Sequence, residues 1–423
     1  MNMQWRTKEF GLCMALAVSI LLLMVFMGSA YGIRVLVEAS CYAIIALGLT
    51  IQWGYAGLFN AGIMGFVAIG GFSAMLLTFP VNQGFWSSDQ ASDLGQAFLK
   101  LLAAAVIVWA VVQLRRLSVP KSIRLPLLLI TLAVSYLWVV NGFAPVTQAI
   151  VSQHGFIGGF GMPVWIGWLV GGILAGTVAY FIGHICLGLR SDYLAIATLG
   201  VAEIIKAFLK NSEWLTRGTL TVSPLPWPVP GAGEVGFITA RALYLSVTAV
   251  LIAIIFYLLH AAYRGPWGRM MRAIRDNELS SAAMGKDVNQ RRLEVFVLGC
   301  VLMGIGGAGL ATFNGIFDPN GYLPLNHTFL IWVMVILGGP GNNLGTVFGA
   351  VFVYVIWVMS EPVALFILNT VSYLGNLWFA WEAPSDFASR ALQARVFTIG
   401  LIITLVLRFA PKGLFPEKVQ QYS

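Results

Sequence analysis

Ionisable side chains embedded in apolar sequence are where a chain like this one would do its chemistry, because a charge held in lipid is expensive. Glu203 and Lys206 sit three positions apart in the otherwise apolar run 193–210. Two readings are open for them: they line an aqueous pathway, or they pair with each other near a helix end. Glu38, four residues after Arg34, falls near the start of an apolar segment and is expected at the interface. The rest of the reactive inventory is sparse. His154, His184, His260 and His327 are scattered singly, with no HExxH spacing, and no G-x-S-x-G nucleophile turn occurs. Cys13, Cys41, Cys186 and Cys300 each lie in a separate apolar stretch without a CxxC, so they read as small packed hydrophobes. The run from Gly338 to Gly345 has the glycines of a phosphate loop but lacks its closing Gly-Lys-Ser/Thr, whose lysine and hydroxyl meet nucleotide and magnesium. It reads instead as a tight helix–turn–helix, either a plain turn or part of the lining of a path. No catalytic group, metal site or cofactor is expected.

The one concentration of charge is a loop. Between Arg264 and Arg292 lie seven of the chain's 25 Lys+Arg, against three carboxylates. Trp267, Met270, Met271 and Ile274 recur at i, i+3, i+4, i+7, an apolar stripe on one helix face. Arg269, Arg272 and Asp276 project from the other face. The stripe fails at Glu278, so two short helices are expected, with Asn277 capping the second and Gly285 ending it. This loop is either a basic anchor that sets topology or a peg whose surface is held by another protein.

Both features must be positioned by membrane-spanning elements. Of 423 residues, 59% are hydrophobic and 10% charged, where a soluble domain carries roughly 25% charged residues. The net charge of +8 sits between apolar segments, as the positive-inside rule requires, so nucleic acid is not the partner. Apolar segments fall at about 11–29, 33–52, 58–79, 97–114, 125–143, 163–187, 193–210, 241–262, 295–313, 327–338, 343–360 and 395–409. They predict one all-α polytopic bundle of about 10–12 spans over 1–423. Residues 327–338 are too few to span upright and read as a half-helix. The run after Arg6 and Lys8 is slightly long for a signal h-region of about 7–15 residues, so an uncleaved first span is expected. The basic connections (Arg115, Arg116, Lys121 and Arg124; Arg190; 264–294; Arg408, Lys412 and Lys418) sort to the cytoplasm. The connections 80–96, with Asp89 and Asp93, and 361–386, with Glu361, Glu382 and Asp386, sort outside. Twelve crossings then leave both termini cytoplasmic. The Pro- and Gly-rich 211–240 reads as an extended outer cover, and Trp378 and Trp381 suit an interface or a docking surface. Glycines crowd 48–71 and 299–309; close helix packing accounts for them, and an internal duplication is a second reading.

A membrane enzyme acting on lipid would need a paired acid–base cluster, and an ion-coupled transporter would favour paired carboxylates at mid-membrane, for which Glu203 is the one candidate. A bundle with no energy source of its own would borrow energy from a partner.

Five stretches, in this order, resemble the permeases of branched-chain amino acid ABC importers: GLTIQWGYAGLFNAGIMGFVAIGGFSAM within 42–75; LRSDYLAIATLGVAEIIK from Leu189, running on to Thr221; GRMMRAIRDNELSSAAMGKD from Gly268, running on to Leu310; LGGPGNNLGTVFGA at 337–350; and RFAPKGLFP at 408–416. Ser191 stands where the family usually has glycine, Arg217 interrupts a Thr-Gly-Gly, and Asp276-Asn277-Glu278 replaces the commoner Glu-Asp-Glu. Residues 95–150 match none of the family's blocks. The resemblance implies an ABC importer permease fold in a bacterial inner membrane. It also implies a second homologous permease subunit, two cytoplasmic ATP-binding subunits and a periplasmic substrate-binding protein, with ATP hydrolysis in the partners. Urea and short-amide importers use closely similar permeases, so two solute classes stand. In such permeases the loop equivalent to 264–294 is the coupling helix. The resemblance therefore assigns ATPase coupling to Trp267, Gly268, Arg269, Met270, Met271, Ala273, Ile274, Arg275, Asp276, Glu278 and Gly285, with the apolar stripe in an ATPase groove. Gly57, Asn60, Glu203 and Lys206 are the candidate path residues.

Overall fold

Every apolar segment read from the sequence is a helix. The computed structural model describes residues 3–114, 120–379 and 393–417; Arg115, Arg116, Lys418, Trp381, Glu382 and Asp386 lie outside them. The long helices are Met3–Met27, Ser29–Leu49 (continued by a π turn, Thr50–Tyr55), Ile63–Thr78, Asp89–Gln113, Lys121–His154, Val164–Cys186, Ser191–Asn211, Phe237–Arg264, Val288–Asn314, Leu330–Gly338 (led in by a π turn, Leu325–Phe329), Asn343–Phe379 and Ala394–Phe409. Among the described residues eight helices are long and apolar enough to cross a bilayer, and no strand is present beyond two isolated bridges.

The centre is built from Ser29–Tyr55, Ile63–Thr78, Val164–Cys186 and Val288–Asn314. Lipid offers no hydrophobic force between helices, so contact depends on how closely backbones approach. Here they nearly touch. A Cβ on Gly70 would fall 1.9 Å from the Gly304 carbonyl oxygen, and one on Gly48 2.5 Å from that of Gly299. Buried polar groups tie the same helices together: Gln52 Nε2 donates to the Phe296 carbonyl at 2.8 Å and Trp168 Nε1 to Thr312 Oγ1 at 3.1 Å. Ser40 Oγ, donating to Thr248 Oγ1 at 2.7 Å, joins Phe237–Arg264 to them.

The connections gather at two ends. At one, Val81 bridges Gly158, Val222 bridges Phe317, and the Ile157 N–H donates to the Trp214 carbonyl at 3.0 Å. The Pro-rich cover belongs to this end: Val222 and Leu225 are buried and Trp227 stacks on Phe313. At the other end Tyr55 stacks on Tyr263 with ring centroids 4.1 Å apart, beside 338–342 and 410–417.

Two expectations are corrected. The outer stretch expected from 361 onward is helical to Phe379, because the Asn343–Phe379 helix runs through Pro362; Trp378 lies exposed upon it. Glu38, expected at the interface, is buried within the bundle, where Arg34 Nε donates to it at 3.1 Å and the Tyr354 hydroxyl at 2.5 Å.

Candidate functional site

The 264–294 loop folds as its residue types dictate. Gly265 ends one helix and Pro266 opens the next, Pro266–Asp276, at the position where a missing N–H costs nothing. Asn277 then caps Glu278–Ala283, its side-chain oxygen accepting from the Ser280 N–H at 2.9 Å. Gly285 follows at φ +76°, the left-handed conformation that stops a helix. Gly268 is required for close approach: a Cβ there would lie 2.1 Å from the Tyr263 carbonyl oxygen.

The apolar stripe faces the bundle, which corrects the expectation that it fills a partner's groove. Met271 and Ile274 are buried, Trp267 and Met270 pack partly buried on the same core, and Trp267 meets Tyr55 edge-on at 6.5 Å. Their burial against the chain's own helices leaves the opposite face free. That face shows Arg269, Ala273, Asp276 and Glu278, and beyond them Leu279 and Met284, each more than four-fifths exposed. Glu278 is held by Arg292 at 2.7 Å.

Arg275, which the resemblance assigns to ATPase coupling, turns inward, where Nη1 reaches the Gly54 carbonyl at 2.5 Å and the Glu417 carboxylate at 2.9 Å. Burial works against its charge, but the hydrogen bond and the charge of Glu417 outweigh that and raise its pKa above the ordinary arginine value. Glu417 also accepts from the Tyr263 hydroxyl, and Arg272 lies 4.7 Å over the Tyr263 ring. Gly57, at φ +67°, leaves room for the Arg275 stem: a Cβ there would stand 3.3 Å from Arg275 Cγ.

Glu417 is delivered by a strap. The Leu414 N–H donates to the Leu337 carbonyl at 2.8 Å, the Phe415 N–H to Gly338 at 3.1 Å, and Asn342 Nδ2 to the Phe415 carbonyl at 3.2 Å. Phe415 is fully buried. Arg275 thus joins three things: the helix pair, the break in the second span at Gly54, and the turn at 338–342. Sequence reasoning found Arg275 but missed Tyr263 and Glu417; the one available signal was that Glu417 directly follows the 408–416 block.

The candidate path residues are not brought together. Asn60 is buried in the same break, where Nδ2 donates to Gln52 Oε1 at 2.9 Å and Oδ1 accepts from the Gly62 N–H at 2.8 Å. It staples the unwound backbone. Glu203 is exposed and Lys206 half-buried, and among the described residues neither forms an ion pair. At the end opposite the helix pair, a cavity of about 550 Å³ is lined by acidic, basic and aromatic side chains, among them Arg34, Glu38, Asp318 and His327.

The comparisons with known proteins point to one family. A family model described as "Branched-chain amino acid transport system / permease component" matches residues 31–374. The chain is 26% identical over 216 residues to the high-affinity branched-chain amino acid transport system permease protein LivM of Escherichia coli (strain K12), covering 46% of this chain and 51% of the relative. It is 26% identical over 251 residues to the probable branched-chain amino acid transport permease protein LivM of Methanocaldococcus jannaschii, covering 58% of this chain and 67% of the relative. The chain thus spans about half the length of the first of these and two thirds of the second. No solved structure matches it.

Proposed function

The chain belongs to the family of branched-chain amino acid transport permease components, and from that premise we propose that it is the membrane subunit of an ATP-driven ABC importer. Its solutes are leucine, isoleucine and valine, carried across a bacterial inner membrane. Its partners are a second homologous permease, two cytoplasmic ATP-binding subunits that carry all the hydrolysis, and a periplasmic substrate-binding protein. The end bearing the Pro266–Ala283 helix pair, and both termini, face the cytoplasm.

One observation supports this reading most: a two-helix peg clamped to the bundle by its inner stripe and showing Leu279 and Met284 to water on its outer side. Large apolar side chains this exposed on a polar loop are at home against a protein surface. Motion of an ATP-binding subunit would move the peg as a rigid piece. Arg275 would pass that displacement to Gly54 and, through Glu417, to the 338–342 turn. Both lie where a spanning helix is interrupted, and interrupted helices are where transporters re-aim a path.

Reconstitution of the complex in proteoliposomes with the binding protein tests it. Radiolabelled leucine should accumulate only when ATP is present on the side of the ATP-binding subunits. Uptake of urea without leucine would replace the solute and keep the mechanism, whereas leucine accumulation without ATP would overturn the importer.

A further inference from the structure

The cavity at the end opposite the peg holds unused valences of both signs. Three of its charges are already matched within the protein: Arg34 bonds Glu38 at 3.1 Å, and Arg395 pairs with Glu361. Three groups still have a bonding position to spare. Asp318 lines the cavity without an ion-pair partner among the described residues; its Oδ1 accepts from the Asn320 N–H at 2.8 Å, which leaves Oδ2. Arg395 has a buried Nε with no hydrogen-bond partner among the described residues. His327, nine-tenths buried in the cavity wall, has its Nδ1 unpartnered among them too.

A buried polar atom without a partner is costly, and Arg395 Nε and His327 Nδ1 are two such atoms on one hollow, beside the half-buried carboxylate of Asp318; one ligand that meets all three explains them together. Such a ligand offers a cation to Asp318 and an acceptor, such as a carboxylate oxygen, to Arg395 Nε. The aromatic surround fits the cationic end: the Tyr322 ring lies 5.3 Å from that of His327, and ring faces attract an ammonium group. Leu310, Ile316 and Val358 give the wall an apolar part. The volume, about 550 Å³, falls within the range of small-molecule sites, roughly 300–1,000 Å³.

The geometry points to a binding site for a small zwitterionic α-amino acid in this cavity, with its ammonium group on Asp318 and its carboxylate on Arg395. His327 takes up a remaining hydrogen bond, and the side chain lies along Leu310, Ile316 and Val358. The choice of leucine as probe rests on the transport reading above; the site itself does not.

The test is direct binding of radiolabelled leucine to the full chain in lipid nanodiscs, by scintillation proximity. The wild type should bind saturably. Isocaproate, which lacks the ammonium group, and isoamylamine, which lacks the carboxylate, should each compete at least tenfold less well than leucine. Asp318→Asn keeps the oxygen that caps Asn320 and removes the charge, and should weaken binding at least tenfold, about 1.4 kcal/mol. Ile316→Trp, at a half-exposed position of the wall, should fill the hollow and abolish binding. No saturable binding by the wild type would overturn the site. So would wild-type affinity in both variants, or isoamylamine competing as well as leucine. ATP-driven uptake that persists unchanged in both variants sinks the site alone; leucine binding without ATP-driven uptake sinks the importer alone.

Discussion

The second and ninth long helices, Ser29–Tyr55 and Val288–Asn314, are nearly or largely buried, whereas Asp89–Gln113 and Lys121–His154 are almost wholly exposed. All four are long and apolar enough to span a membrane. What separates them is grain. The buried pair carries glycines that let backbones touch, together with polar groups that need partners: Gly48 against Gly299, Ser40 on Thr248, Thr50 on Thr346, Gln52 on Phe296. The exposed pair buries little beyond Leu94, Ala97, Ala104 and Ile150, and Gly95 has nothing near it. Apolarity places a helix in the membrane; small residues and matched polar groups place it in the machine. The two exposed helices carry the stretch 95–150 that matched no family block, and they pack on the machine's flank.

The sharpest way to break that contrast is to enlarge one glycine in each region. Gly70→Leu drives a side chain into the Gly304 backbone, a larger insult than the ~1–3 kcal/mol of ordinary overpacking. It should abolish monodisperse protein in fluorescence-detected size exclusion. Gly95→Leu should leave the melting temperature within a few degrees, as exposed substitutions shift stability by roughly 0.5 kcal/mol or less. Equal tolerance of both would end the distinction between centre and flank.

A subtler contrast lies between the strap and the peg it holds. Glu417→Gln removes the nearer charge partner of the Arg275 guanidinium and leaves it Asp276 at 3.5 Å, a loss on the order of 1–3 kcal/mol for a hydrogen bond to a charged group. The helix pair keeps its buried stripe, so the complex should still assemble and hydrolyse ATP. Leucine carried per ATP hydrolysed should fall severalfold. An unchanged ratio would make the strap a passive cover.

Much of this was legible in the chain. Twelve apolar runs gave twelve helices, and Asn277 and Gly285 marked the ends of the second peg helix, because capping and helix stops are decided by a few neighbouring residues. The direction of the stripe was not legible. Trp267, Met270, Met271 and Ile274 make the same pattern whether they face a partner or their own bundle, and only the folded chain shows Ile274 buried. The resemblance located the peg but not its outer surface, so Leu279 and Met284 went unremarked. The pairing of Arg275 with Glu417 joins residues far apart in sequence, as does that of Glu38 with Tyr354. No local periodicity encodes such a contact.

The most direct test of the central claim, that the outer face of the peg is the grip of the ATP-binding subunits, compares Leu279→Asp with Ile274→Asp in the co-expressed complex. Ile274→Asp would bury an unpaired carboxylate in the chain's own core, costing several kcal/mol, and should reduce the amount of folded permease itself. Leu279→Asp places a charge where water already is, so the permease should reach normal membrane levels and remain monodisperse. The measurement is the amount of ATP-binding subunit recovered on the purified permease, with leucine uptake from the same preparation. The account predicts that Leu279→Asp loses both, starting from a fully folded chain. Normal recovery of the ATP-binding subunits and normal uptake by Leu279→Asp would contradict it.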